Sequence, residues 1–300
     1  MDAMISDIQK FSLQDGPGIR TTVFFKGCNM HCVWCHNPET FSMKQDLMFY
    51  SSKCIGCGAC YQACKTGALT KEGTRVYNKS LCIQCGKCVE ACAPGALKLV
   101  GQKMTVEEVM AVIREDKDYY EASGGGVTLS GGEVLLQAEF AAYLLKMCKA
   151  EGISTAIESN LSGSFENVKK LLPYLDRIYC DLKLIDPQAH KTYTGLSNQT
   201  TLDNIHALSE TDIPLVIRTP LIPGITDSQE NIRGIARWIR ENARIEAYEL
   251  LNYNPLAEAK FQELGIAYTP GTLKRKTKAE VALLADIARN EGVPVILGGD

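Results

Sequence analysis

From Gly126 onward, short apolar runs rich in β-branched residues alternate with stretches in which apolar positions recur every three or four residues. The first kind reads as buried strands and the second as amphipathic helices. Predicted strands are GVTLS (126–130), GISTAIES (152–159), RIYCDLKLI (177–185), IPLVIRTPLI (213–222) and ARIEAYELL (243–251), with TTVFFKGC (21–28) as a sixth. Helices are predicted at 134–150, 164–172, 200–210 and 227–241, the last capped by Asp227 or Ser228. Another, at 105–118, starts on Thr105 with Glu107 and Glu108 in its first turn and links the first two strands. Six βα units predict an α/β fold, an open partial (β/α)6 barrel, with a doubly wound open sheet as the alternative of equal periodicity. Past residue 251, a loop rich in Asn, Pro and Ala, a helix near 277–290 and an apolar VPVIL run predict a tail packed on the barrel.

Residues 50–97 break this rhythm and divide the chain into a barrel (1–49 and 98–300) and an insert. KCIGCGACYQACKTGAL (53–69) is repeated as LCIQCGKCVEACAPGAL (81–97). A repeat this short buries no apolar face of its own and needs a metal for structure. Each half reads C-x2-C-x2-C-x3-C: Cys54, Cys57, Cys60 and Cys64, then Cys82, Cys85, Cys88 and Cys92. That is the two-cluster ferredoxin pattern, in which the fourth cysteine of each run serves the other cluster. One [4Fe-4S] centre is expected on Cys54, Cys57, Cys60 and Cys92, and the other on Cys82, Cys85, Cys88 and Cys64. The proline that usually follows the fourth cysteine is Lys65 in the first half and shifted to Pro94 in the second, a change in the turn and not in the ligands. Paired C-x2-C motifs also bind zinc, but duplicated runs of four cysteines suit a cuboidal cluster better.

The net charge of -3 offers no electrostatic case for nucleic acid. With neither an apolar leader nor a run of about 18 apolar residues, no membrane is expected and a cytoplasmic location is. Thirteen cysteines in such a chain point to metal ligation rather than disulfides. Cys148 and Cys180, each in an apolar pattern, read as ordinary buried residues.

The remaining three cysteines, Cys28, Cys32 and Cys35, are spaced C-x3-C-x2-C just past the first predicted strand, where a barrel carries its active site. A four-iron cluster fully ligated by protein takes four thiolates, so three imply one open iron. A zinc site completed by His31 or His36 is the alternative, a poor one because adjacent Cys35 and His36 do not easily reach one tetrahedral ion.

DGPGIR (15–20), the cysteine loop ending in WCHNPE, GGGVTLSGGE (124–133) and DLK (181–183) together resemble the glycyl-radical-enzyme activating enzymes, a branch of the radical S-adenosylmethionine (SAM) superfamily. Pyruvate formate-lyase activase is similar over the barrel alone, whereas members with a ferredoxin-like insert resemble the whole chain. The resemblance implies SAM chelated at the open iron and cleaved reductively to a 5'-deoxyadenosyl radical that takes hydrogen from a glycine of a partner glycyl radical enzyme. It also implies three [4Fe-4S] clusters, electron entry through the insert, and a flavodoxin or ferredoxin-type reductant. SAM contacts are implied for Trp34, Cys35, His36, Gly131, Gly132, Glu133, Asp181, Leu182, Lys183, Arg218 and Asn254. Asn254, in LLNYN, replaces a family histidine with an amide that does not titrate near neutrality. Glu158 and Ser159 stand where the activase has an Asp-Thr pair, leaving room for a monovalent cation. A radical SAM enzyme acting on a small molecule or another protein residue, and an electron-transfer protein with a docking barrel, are the rival readings.

Overall fold

The computed structural model describes residues 1–72 and 74–298. Its first strand is one the apolar pattern does not predict: β1 (Asp2–Ser12), with Ala3 and Ile5 facing the core. β1 runs antiparallel to β2 (Arg20–Phe25). The chain then leaves along β3 (Asp46–Phe49) and returns along β6 (Leu97–Val100), paired as an antiparallel ribbon. Between them lies the insert, with its hairpin of β4 (Leu69–Glu72) and β5 (Thr74–Tyr77). β7 (Gln102–Thr105) pairs with β1, and the βα units follow: β8 (Gly126–Gly131), β9 (Ser154–Ser159), β10 (Arg177–Asp181), β11 (Leu215–Leu221), β12 (Ala247–Asn252) and β13 (Val295–Gly298).

Among the described residues the main sheet has the order β13-β12-β11-β10-β9-β8-β2-β1-β7. From β2 to β13 every pairing is parallel. Along the parallel strands the order never reverses, and right-handed crossovers that all step the same way place the connecting helices on one face. A doubly wound sheet reverses and covers both. The two edge strands do not pair with each other, so the sheet stays open. The six-strand expectation gains a seventh parallel strand, because the VPVIL run joins the sheet as β13 instead of packing against it.

Pleat alternation sorts the strand residues. Val127, Leu129, Ile157, Ile178, Cys180, Ile217 and Leu250 face the helices and form the main core with Ile113, Phe140, Leu144, Ile205, Ile235 and Leu284. Each such side chain contributes about 1.5–3 kcal/mol on burial. Cys148 and Cys180, both fully buried, belong to this core as expected. The opposite, concave face carries Thr128, Glu158, Tyr179, Arg218 and Glu249.

Two predicted helices differ in detail. The 105–118 stretch divides into Val106–Arg114 and Lys117–Ser123. Asp116, at the break, is buried and accepts a hydrogen bond from Thr21 Oγ1 at 2.7 Å, a tie to β2 that a continuous helix would not place there. Thr105 does close a capping box with Glu108. Ser228, not Asp227, caps the helix Gln229–Asn242; Asp227 accepts from the Gly224 N–H and pairs with Lys276.

Candidate active site

The carboxyl ends of the parallel strands meet at one rim, where the predicted site residues gather. The cysteine loop leaves β2 and is stitched down on two sides. Gly27 N–H donates to Thr40 O at 2.7 Å, while His31 and Val33 N–H donate to Thr194 and Tyr193 carbonyls at 2.7 and 3.1 Å. Met30, Cys32 and Trp34 are buried with Leu184, Ile222 and Tyr253, and Cys28 and Cys35 pack at the edge of that cluster. Burial pushes the Cys28 thiol up to about 12 and Cys35 well above its ordinary range, and the neighbouring thiols add to both. Buried thiols of this kind stay protonated until a cation binds the sulfur and displaces the proton. The Asn37 N–H donates to Cys35 Sγ at 3.4 Å, the type of bond that stabilises a ligating sulfur. Among the described residues no three His, Cys, Asp or Glu side chains are drawn tightly around the position of one ion.

Beside the thiols lies Lys183. Its ammonium is buried and donates to Asp181 Oδ2 at 2.8 Å. Burial works against its charge, yet Asp181 and the thiols of Cys32 and Cys28 outweigh that and raise its pKa. Asp181 keeps 40 % of its side chain exposed, so it is the open member of the pair. Asp181 and Lys183, two residues apart, share one face, and Leu182 between them points the other way. It is fully buried in the helix-side core, its N–H donates to Arg218 O and its carbonyl accepts from Thr219 Oγ1. Leu182 therefore presents no group to a ligand on the concave face.

Deeper on that face, Arg218 lies between two carboxylates, donating to Glu158 and, at 2.6 Å, to Glu249 Oε2. Its guanidinium sits 3.7 Å from the centre of the Tyr179 ring. Glu158 also accepts from Ser130 Oγ at 2.6 Å. Glu133 is fully buried and accepts from Ser159 Oγ, Leu135 N–H and Asn160 N–H at 2.6, 3.0 and 2.9 Å. The side chains of Glu133, Glu158 and Ser159 are thus engaged within the fold. These side chains brace the strand ends.

Glycine is required in the turn after β8 for space. A Cβ on Gly132 would lie 2.1 Å from Gly27 O, and one on Gly131 2.5 Å from Phe25 N. Gly132 and Glu133 N–H donate to Phe25 and Gly27 carbonyls, so what this turn offers a ligand is carbonyl oxygen, the acceptor an ammonium needs. His36 is exposed, with Nε2 2.9 Å from Asn254 O, and Asn254 uses its side chain to cap Leu256 N–H. Asn160 went unmarked in the sequence. Buried at 6 % exposure, it holds its side-chain N–H 3.9 Å from Cys28 Sγ and 3.2 Å from Asn29 Oδ1. Its only sequence signal is its position directly after the Glu158-Ser159 pair at the end of β9.

In the insert, Cys54, Cys57, Cys60 and Cys92 line one cavity. Cys64, Cys82, Cys85 and Cys88 line a second. Each cavity thus takes three cysteines from one run and the fourth from the other. Short contacts to sulfur recur here: Ala96 N–H to Cys92 Sγ at 3.2 Å and Gln84 N–H to Cys82 Sγ at 3.4 Å.

Comparison with known proteins places this geometry. The family model described as Radical SAM superfamily matches residues 22–238. The chain is 39 % identical over 306 residues to the (2S)-3-sulfopropanediol dehydratase activating enzyme of Klebsiella oxytoca, covering 98 % of this chain and 96 % of that protein. It is 40 % identical over 309 residues to the indoleacetate decarboxylase activating enzyme of Tractidigestivibacter scatoligenes, covering 99 % and 98 %. A solved domain of pyruvate-formate lyase-activating enzyme from Bacteroides vulgatus is similar at 28 % identity with a TM-score of 0.50, over 58 % of this chain and 99 % of that one.

Proposed function

We propose, from the premise that the chain belongs to the radical SAM superfamily and within it to the activating enzymes of glycyl radical enzymes, that it generates a glycyl radical on a partner enzyme. The observation that carries the reading is the set of three thiols, one buried and two half-buried, at the rim of the parallel sheet, beside the Lys183–Asp181 pair. Cys28, Cys32 and Cys35 would hold a [4Fe-4S] cluster with one iron left for the amino and carboxylate groups of SAM. When bound, the cluster supplies one electron to the SAM sulfonium, yielding methionine and a 5'-deoxyadenosyl radical that removes hydrogen from a glycine Cα of the partner.

The residues of this chain orient the substrate and hold charge. The carbonyls of the Gly131–Gly132 turn would accept from the N–H groups of the SAM amino nitrogen, and Lys183 offsets the negative charge that three thiolates bring to a buried place. Asp181 faces the ligand side, and Trp34, Cys35 and His36 border it, with the exposed His36 steadied by the Asn254 carbonyl. Arg218 acts from beneath, keeping Glu158 and Glu249 compact under the site. A monovalent cation beside Glu158 and Ser159 would share their oxygens with Arg218, Ser130 and Glu133.

Residues 50–97 are read as a ferredoxin-like insert on the 1–49 and 98–300 barrel. The two cysteine-lined cavities support two further [4Fe-4S] centres with crossed fourth ligands. Held there, such centres would supply a path for electrons from a flavodoxin or ferredoxin-type carrier. No helix among the described residues is long and apolar enough to cross a membrane.

The test is anaerobic reconstitution with iron and sulfide, then SAM, a strong reductant and a candidate partner. The expected result is 5'-deoxyadenosine formed together with a glycyl radical signal on the partner. Intact SAM, or 5'-deoxyadenosine formed at full rate on a small molecule with no radical on any partner, overturns the reading.

A further inference from the structure

Lys26, two residues before Cys28, is fully buried, with its ammonium on Asp46 Oδ2 at 3.0 Å and on the Glu39 carbonyl. Gly101 covers its stem so closely that a Cβ there would lie 2.4 Å from Lys26 Cδ. The other oxygen of Asp46 takes Lys79, three residues before Cys82. Gln45, the neighbour of Asp46, completes the contact: its side chain donates to Gly101 O at 2.7 Å, and its carbonyl accepts from Gln84 Nε2 at 2.7 Å. Gln84 makes that bond from a left-handed backbone, φ 58, where the first run has Gly56 at φ 70. The base of the Cys28 loop is thus bolted to the second cysteine run.

The ribbon supports the same order. Asp46 pairs with Val100, Leu47 with Leu99 and Phe49 with Leu97. Leu47 and Leu99, one rung from Asp46, line the cavity of Cys64, Cys82, Cys85 and Cys88. Phe49 and Leu97 line that of Cys54, Cys57, Cys60 and Cys92, about 7 Å further along the ribbon at roughly 3.3 Å per residue.

We propose that Lys26, Asp46 and Lys79 form a joint that fixes the second-run centre as the last electron donor to the open centre, with the first-run centre further out. The proposal rests on the insert carrying clusters, as read above. A low-potential carrier protein loses one electron, the second-run centre passes one electron on, and the open centre gains it; no proton or atom moves. Asp46, Lys26 and Lys79 are positioning residues, since none touches SAM.

Two measurements on the full reconstituted protein test it. In electron paramagnetic resonance, Cys85→Ser, which disables the second-run centre, should abolish most of the magnetic coupling felt by the open centre, and Cys57→Ser should leave that coupling in place. The reverse pattern overturns the order. In kinetics, Lys79→Met combined with Gln84→Gly detaches the insert while sparing the buried Lys26–Asp46 pair. It should slow reduction of the open centre by a reduced carrier protein tenfold or more, with SAM cleavage driven by excess dithionite changed less than twofold and iron content unaltered. Equal carrier-driven rates in variant and parent overturn the joint. The coupling measurement needs no SAM turnover, so failure of this proposal is distinguishable from failure of the functional reading.

Discussion

Replacing Arg218 with Met is the most informative single perturbation of the concave face. Met keeps much of the volume but leaves Glu158 and Glu249 facing each other without a cation and removes the contact with the Tyr179 ring. Breaking a buried ion pair costs about 3–5 kcal/mol. The carboxylates keep 22 % and 12 % exposure, so water relieves part of that and about 3 kcal/mol is expected. The loss should depend on pH. Burial already raises the pKa of Glu158, with Arg218 pulling it back. A carboxyl whose folded pKa is raised stabilises the fold below its ordinary range and loses that contribution as pH rises through the folded value. Without Arg218 the rise is larger, so the variant is weakest near neutral pH and recovers toward about pH 5, where a proton replaces the guanidinium. The assay is the denaturant midpoint of parent and variant at the two pH values. A loss under about 1 kcal/mol, or one equal at both, refutes the claim that Arg218 holds two buried charges together.

Gly132→Ala forces a methyl to 2.1 Å from Gly27 O and strains both hydrogen bonds of the turn; overpacking of about 1–3 kcal/mol should displace the cysteine loop, read as lower iron retention in gel filtration. Leu182→Ala opens a hole in the helix-side core, so stability should fall by about 2–5 kcal/mol while SAM affinity by calorimetry stays within a few-fold; Asp181→Ala should weaken SAM binding and also the fold, because it leaves the buried Lys183 ammonium without its partner. Asn160→Ala removes the amide 3.9 Å from Cys28 Sγ, and a lower midpoint potential of the open centre, measured by redox titration, is expected. Cys148→Ala should leave iron and sulfide content unchanged in elemental analysis, because that thiol lies in the core 3.7 Å from Met110 Sδ.

Chemistry concentrated in short spacings was legible in the chain itself. The cysteine runs, the βα alternation and the shared face of Asp181 and Lys183 depend on neighbours within a few residues, where strand and helix periods dictate direction. β1 was not legible, because only Ala3 and Ile5 at its start show buried alternation and the rest of the strand is largely exposed. Leu182 shows the limit of motif reasoning, since membership in DLK suggested a ligand contact although the strand period turns the middle residue to the opposite face.

Residues joined across the sheet needed the tertiary structure. Glu133 with Ser159, Arg218 with Glu158 and Glu249, and Lys26 with Asp46 and Lys79 each bring together groups from separate elements. No local period relates such positions, because which side chain meets which depends on strand order and register. The chain alone thus pointed to Cys28, Cys32 and Cys35 as the place proposed for iron and SAM chemistry. The fold decided which charges face that site, which ones merely brace it, and which cysteine run is fastened beside it.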